Sequence, residues 1–148
     1  MSLESLTGTK IYFSTGTLAT EDADGYEAAT WSHFVGCTSF AEWGDTSNDV
    51  SEPTLSEGRV QHANGVLDGG EVSIGGRTEA GDTGAAILIT NAGTNTVVLI
   101  KKLYLSGDAE YAYGVIGSLL QREAVSDGVR GFTATARINS KVLPVAAD

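Results

Sequence analysis

The 148-residue sequence predicts a single, mainly β domain of antiparallel strands, with one helix candidate and one long polar loop. Three observations carry this expectation. Nineteen glycines against two prolines (Pro53, Pro144), among many Thr, Val and Ala residues, describe a β-rich chain with many turns. In "GVRGFTATARINS" (Gly128–Ser140), Phe132, Ala134, Ala136 and Ile138 share one face while Thr133, Thr135 and Arg137 share the other. Short turns, "SGD" at 106–108 and "SDG" at 126–128, separate consecutive strands into a half-buried meander. A chain of this length buries a core without disulfides or metals.

The elements follow in order. "TKIYF" (Thr9–Phe13) is a strand with Thr9, Ile11 and Phe13 on one face and Lys10 and Tyr12 on the other. "LATEDADGYE" (Leu18–Glu27) is acidic and holds the turn signal Asp24-Gly25. "TWSHFVGCTSF" (Thr30–Phe40) is a second strand, bulged or bent near Gly36. Residues 41–58, "AEWGDTSNDVSEPTLSEG", are polar and weakly periodic, a long loop or extended arm. Loops of that length in a compact domain are uncommon unless they have a role. "GVLDGGEVSIGG" (Gly65–Gly76) carries a turn at Asn64-Gly65, a bend at Gly69-Gly70, the strand "EVSI" and a loop at Gly75-Gly76. "AGDTGAAILITNAG" (Ala80–Gly93) is the helix candidate, capped by Asp82 and ended by Gly93, with a strand at Ile87–Thr90 as the alternative. "TVVLIKKLYL" (Thr96–Leu105), "AEYAYGVIGSLLQREA" (Ala109–Ala124) and "GVRGFTATARINS" complete the strands.

Charge narrows the function. The net charge is −10, and residues 1–58 hold ten acids against one base, Lys10. Nucleic-acid binding needs cations that displace counterions from phosphates, so a specific DNA or RNA reader is excluded. "MSLESLTGTK" lacks the apolar core of a signal peptide, and no apolar run is long enough to cross a bilayer, so a soluble intracellular product is expected. The single Cys37 excludes an internal disulfide and a cysteine-based zinc site.

No catalytic or cofactor motif survives inspection. The glycine stretch nearly spells a phosphate-binding loop, with Gly70 and Gly75 correctly spaced. Gly76 then stands where the lysine belongs, and no buried strand precedes the loop. "TEDADG" (Thr20–Gly25) matches the middle of a calcium loop, but Thr20 and Trp31 occupy two essential ligand positions. His33 and His62 lack partners at metal-ligand spacing, and Cys37 lies in an apolar strand that disfavours a thiolate. We therefore expect no enzyme, no metal and no cofactor.

The whole chain resembles the tail tube (major tail) proteins of lambda-type long-tailed, non-contractile bacteriophages. The resemblance rests on order and spacing over about 130 residues. It runs through "GTKIYFS", the tryptophan-led "WSHFVGCTSF", the polar "SNDVSEPTLSEG", "NGVLDGGEVSI", a short helix and the terminal hairpin "YAYGVIGSLLQREAVSDGVRGFTATARINS". Two departures stand out: Leu18–Glu27 is unusually acidic, and the chain ends soon after Pro144 without an added immunoglobulin-like domain.

The resemblance implies a β-sandwich or distorted barrel of antiparallel strands with one short flanking α-helix and a long extended loop. It implies one tail-tube domain over 1–148, with an N-terminal arm at 1–8, the extended loop at 41–58 and a C-terminal tail at 141–148. Hexameric rings would stack into a virion tail tube, assembled in the host cytoplasm, through which double-stranded DNA passes without specific binding. The implied partners are the chain itself, tape measure, tail tip and tail terminator proteins, with no membrane. Exposed strand edges are a hazard unless paired, ring closure pairs them, and head-to-tail stacking yields a filament. The expected contacts between subunits or rings are Trp43, Asp45, Asn48, Val50, Pro53, Leu55, Asp68 and Gly69. A net negative lumen, not one dominated by Lys101, Lys102, Arg122, Arg130 and Arg137, is also expected. The alternatives are a tube protein of a contractile tail or secretion system, and a carbohydrate-binding β-sandwich using Trp31 or Trp43.

Overall fold

The computed structural model describes residues 6–53 and 58–147. Their order is β1 (Lys10–Thr15), α1 (Ala23–Glu27), β2 (Ser32–His33), β3 (Cys37–Phe40), β4 (Thr46–Pro53), β5 (Val60–Asp68), β6 (Glu71–Arg77), α2 (Thr83–Asn91), β7 (Val98–Leu103), β8 (Ala109–Gln121), β9 (Gly131–Ile138) and β10 (Leu143–Val145). One antiparallel sheet runs β2-β1-β7-β8-β9-β6-β3, with β10 also on β8, while β4 and β5 pair with each other.

The sheet's two ends are joined by three residues. β2 lies at one edge and β3 at the other, yet only Phe34, Val35 and Gly36 separate them. Four Cα steps span at most about 14 Å, so the sheet must curl until its edges nearly meet. The backbone bonds show where. The Phe34 N–H donates to the Ile11 carbonyl on β1 (2.8 Å), and the Arg77 N–H on β6 donates to the Gly36 carbonyl (2.9 Å). The result is an antiparallel β architecture rolled into a distorted, unclosed barrel.

Its interior follows the period-two pattern. Ile11 and Phe13 from β1, Val72 and Ile74 from β6, and Phe132, Ala134 and Ala136 from β9 are buried together. Phe34 fills the centre, with ring centroids 5.7 Å from both Phe13 and Phe132. The helix α2 adds Ala85 and Leu88. Two glycines make this packing possible. A Cβ on Gly76 would stand 2.3 Å from the Phe34 ring, and one on Gly84 would stand 2.6 Å from the Phe34 backbone. Outside the barrel a second cluster stacks Tyr26 of α1 on Tyr111 of β8 at 5.0 Å.

Asp82 fastens the bridge to the helix. Its carboxyl oxygens accept the Ala85 N–H (3.2 Å), capping α2, and also the Val35 (3.2 Å) and Gly36 (2.9 Å) N–H groups. Gly93, with φ at 77°, follows the helix end as expected.

Several expectations are corrected. The strand at Thr30–Phe40 is two strands on opposite edges, broken at the bridge. The acidic stretch Leu18–Glu27 contains a second helix, α1, where the Asp22 carboxyl accepts the Thr20 hydroxyl (2.6 Å) and the Gly25 N–H (2.9 Å). Those bonds hold the Asp22 carboxyl below its usual range. Asn64-Gly65 lies inside β5, and Gly75-Gly76 lies inside β6, which is approached by the chain's own Phe34. The tail at 141–148 supplies β10, paired with β8 from Leu143 to Val145.

Phe34→Ala should therefore destabilise the fold by about 3–5 kcal/mol, the cost of an aromatic cavity that glycine-lined surroundings cannot refill. Urea denaturation followed by tryptophan fluorescence measures this as a lower midpoint at unchanged slope. An unchanged midpoint would refute the central place assigned to that ring.

Candidate functional site

The stretch expected as a long loop is half of a β-hairpin. β4 pairs with β5 from Thr46 opposite Asp68 to Pro53 opposite Val60, with a bulge between Ser47 and Asp49. Polar side chains tie the two strands across the ladder. Asp49 oxygens lie 2.9 and 3.0 Å from the His62 Nδ1, and the Ser47 hydroxyl meets the Asn64 Oδ1 at 3.1 Å. The Thr46 hydroxyl donates to the Asp68 carbonyl (3.3 Å).

Little else holds this hairpin. Its apolar side chains face outward: Val50 is 57% exposed, Val66 73% and Leu67 63%. Neither strand pairs with the main sheet among the described residues. A two-stranded hairpin alone in water is marginally stable, and its outer edges offer unpaired backbone groups. Among the described residues the arm therefore presents exposed apolar side chains and strand edges with few contacts to the body.

The expected contact residues divide into arm and root. Asp45, Asn48, Val50 and Asp68 are exposed on or beside the hairpin, and Pro53 ends β4 opposite Val60. Asp68 Oδ1 accepts the Gly70 N–H (2.9 Å), which shapes the turn into β6. Trp43 and Gly69 form the root and are partly buried. The Trp43 indole N–H donates to Glu110 Oε1 (3.2 Å) and its ring meets Phe40 edge-on at 5.0 Å. Gly69 lies against Ile138. Leu55 lies outside the described residues. Sequence reasoning missed the β5 half, notably Val60, Val66 and Leu67, because Asn64-Gly65 resembles a turn.

The remaining chemical candidates are engaged locally. The Trp31 indole N–H donates to the Tyr26 carbonyl (3.0 Å), and its ring packs on Tyr111 at 5.8 Å. His33 lies against Tyr12, ring centroids 5.0 Å apart. Burial pushes the Cys37 thiol up to about 11, so it is a neutral thiol at physiological pH. Burial raises the Tyr26 and Tyr111 hydroxyls, and the bond to Glu21 raises that of Tyr113.

Four of the nine lysines and arginines have acidic or aromatic partners. Arg137 contacts Glu71 (3.2 Å) and Arg77 contacts Glu79 (2.6 Å). Lys101 sits 5.2 Å from the Tyr12 ring centroid and Lys102 sits 5.5 Å from that of Phe40.

No family model and no curated protein matches the chain. Solved structures do. A chain of the anti-feeding prophage (AFP) baseplate superposes at TM-score 0.66 with 9% identity, covering 100% of this chain and 99% of that one. A chain of the SPP1 tail tube superposes at 0.60 with 15% identity, covering 97% and 81%. A chain of the PVC sheath–tube complex, from an extracellular contractile injection system, superposes at 0.58 with 12% identity, covering 93% and 89%. The resemblance to tail tube proteins drawn from the sequence holds at the level of the fold.

In the isolated subunit, arm amides from Thr46 to Glu52 and from Val60 to Asp68 should exchange with solvent about two orders of magnitude or more faster than those of β6, β8 and β9. Hydrogen exchange followed by mass spectrometry measures this. Equal protection would mean that the arm is stable on its own.

Proposed function

We propose that this chain is the structural subunit of a tail tube. Six copies close into a ring, and rings stack head to tail into a channel for genomic DNA. The exposed hairpin on a fold shared with tube proteins carries this reading. A head-to-tail contact joins two different patches and so does not terminate, which is how one kind of subunit makes a filament. An arm whose apolar side chains face solvent supplies one of those patches. Asp45, Asn48, Val50, Pro53 and Asp68 contact the neighbour, while Trp43 and Gly69 set the arm's direction from the root.

The subunit works in the virion tail, after assembly in the host cytoplasm, alongside tape measure, tail tip and tail terminator proteins. No catalytic step is involved. The likeness to the contractile injection system's sheath–tube complex favours, as a second reading, a tube that works inside a contractile sheath. The internal contacts of Trp31 and Trp43 count against a sugar-stacking platform.

The charge distribution suits passage of DNA. Phosphates bind where cations release counterions. Here Lys101, Lys102 and Arg137 already have aromatic or acidic partners, and the net charge is −10. Such a channel repels DNA weakly and lets it slide.

Electron microscopy of the concentrated protein should show hollow tubes or six-fold rings; a monomer at every concentration would overturn the proposal. Replacing residues 46–68 with two glycines joins Asp45 to Gly69 across the hairpin root. That variant should fold normally yet form no tubes, and tubes of ordinary length would remove the arm from the mechanism. Assembled tubes should also fail to retain double-stranded DNA in a sedimentation assay at about 0.15 M salt, where surface attractions extend only about 8 Å. Stoichiometric co-sedimentation would refute the neutral or acidic channel.

A further inference from the structure

If rings stack through the arm, a receiving surface must exist elsewhere on the subunit, and this inference rests on the tube reading. The arm's root lies beside Ile138, whose ladder partner on β8 is Gly114, and beside Glu110 further down that strand. The far end of the sheet is the tip of the β8–β9 hairpin. Gln121 stands seven residues beyond Gly114, a distance of roughly 23 Å at the usual strand rise. Root and tip therefore occupy different levels of the sheet, as a head-to-tail contact requires.

The tip has the chemistry of a docking surface. Residues 121–130 are all exposed, and Leu120, Val125 and Val129 present apolar side chains to solvent. A cleft of about 460 Å³ is lined by Arg122, Glu123, Val125, Val129 and Arg130 among others. Arg130 also borders a neighbouring cleft of about 380 Å³ that includes Ile89 and Phe132. These two arginines differ from the occupied cations. Arg122 reaches only neutral acceptors, the Val129 carbonyl (3.4 Å) and the Thr38 hydroxyl (3.3 Å). Arg130 has no ion-pair partner among the described residues.

The tip balances Arg122 and Arg130 against Glu123 and Asp127, whereas the arm is acidic, so the two are complementary only at the arginines. Its described residues from Asp45 to Asp68 hold four acids (Asp45, Asp49, Glu52, Asp68) against one base, Arg59. Val50 and Glu52 alternate with Ser51 along β4, so they share one hairpin face with their ladder partners Ala63 and Gln61. That face presents an apolar group followed by the Glu52 carboxylate, which has no ion-pair partner among the described residues, near the arm's outer end. We propose that the β8–β9 tip receives the arm of a subunit in the adjacent ring, with Val50 seated against Val125 and Val129 and Glu52 paired with Arg130.

Charge reversal tests this. Glu52→Arg and Arg130→Glu are exposed substitutions, so each variant should fold as the parent does, checked by circular dichroism and the thermal midpoint. Like charges facing each other across an interface are strongly disfavoured, so each variant should close rings but elongate tubes about tenfold or more slowly. The double variant should restore elongation. If the parent forms tubes and either single variant elongates normally, this contact is wrong while the tube reading stands. Failure of the double variant to recover would equally overturn the Glu52–Arg130 pairing. Loss of rings in the single variants would overturn the assignment to an adjacent ring. Absence of tubes in the parent would instead sink the tube reading itself.

Discussion

The structure depends on one short bridge. Phe34, Val35 and Gly36 carry the chain from one edge of the sheet to the other, so the sheet cannot flatten. A flat sheet would expose the edges of β1 and β6 and leave the inner face half uncovered. The Asp82 carboxyl prevents this by holding two bridge amides and the first turn of α2 together. A buried N–H left without an acceptor costs about 1–3 kcal/mol, so three amides meeting one residue concentrate much stability at one point. Phe34 completes the junction from the inside. Its ring needs the space beside Gly76 and its backbone needs the space beside Gly84. Helix, strand and bridge are thus mutually dependent.

That arrangement gives the body its own core, while the arm has few contacts to it among the described residues. The body has a closed-packed interior and a ladder on nearly every strand. The hairpin has polar cross-links, a bulge and outward-facing valines. Stability is unevenly distributed in proteins, and segments with few buried apolar contacts lie at its lower end. An arm that ordered itself fully against its own body would have nothing left to offer another subunit. In the proposed assembly, the arm's exposed edges would gain partners from the neighbour, in the manner of strands that add to a sheet on binding.

The sequence was most legible where burial is one-sided. β1 and β9 alternate because one face meets the core, and the Asp82 and Gly93 signals bracketed α2 correctly. The arm lacked such a signal because both its faces meet solvent, leaving no alternation to read. Asn64-Gly65 is a strong turn dipeptide, yet pairing across the Ser47–Asp49 bulge overrides it. The helix α1 was hidden by its five-residue length. The double glycine at Gly75-Gly76 looked like a loop because the reason for it, Phe34, comes from 42 positions away in sequence. Likewise nothing local joins Asp82 to Gly36, which are 46 residues apart. Contacts of this range exist only once the sheet has curled.

The net charge of −10 sets a final constraint on assembly. Subunits that all carry excess negative charge repel one another, and screening by salt relieves that repulsion within about 10 Å at 0.1 M. The same screening weakens an exposed pair such as Glu52 with Arg130. The two effects oppose each other, so electrostatics alone would leave stacking sensitive to ionic strength in either direction. Burial of apolar surface is not screened, and gains about 25 cal/mol for each Å² removed from water. In the proposed stack, valines at the arm and at the tip would therefore supply the salt-insensitive part of the attraction, while the charges would determine which surfaces meet. On the proposed reading, an acidic subunit would in this way form a channel that does not hold DNA and still stack on copies of itself.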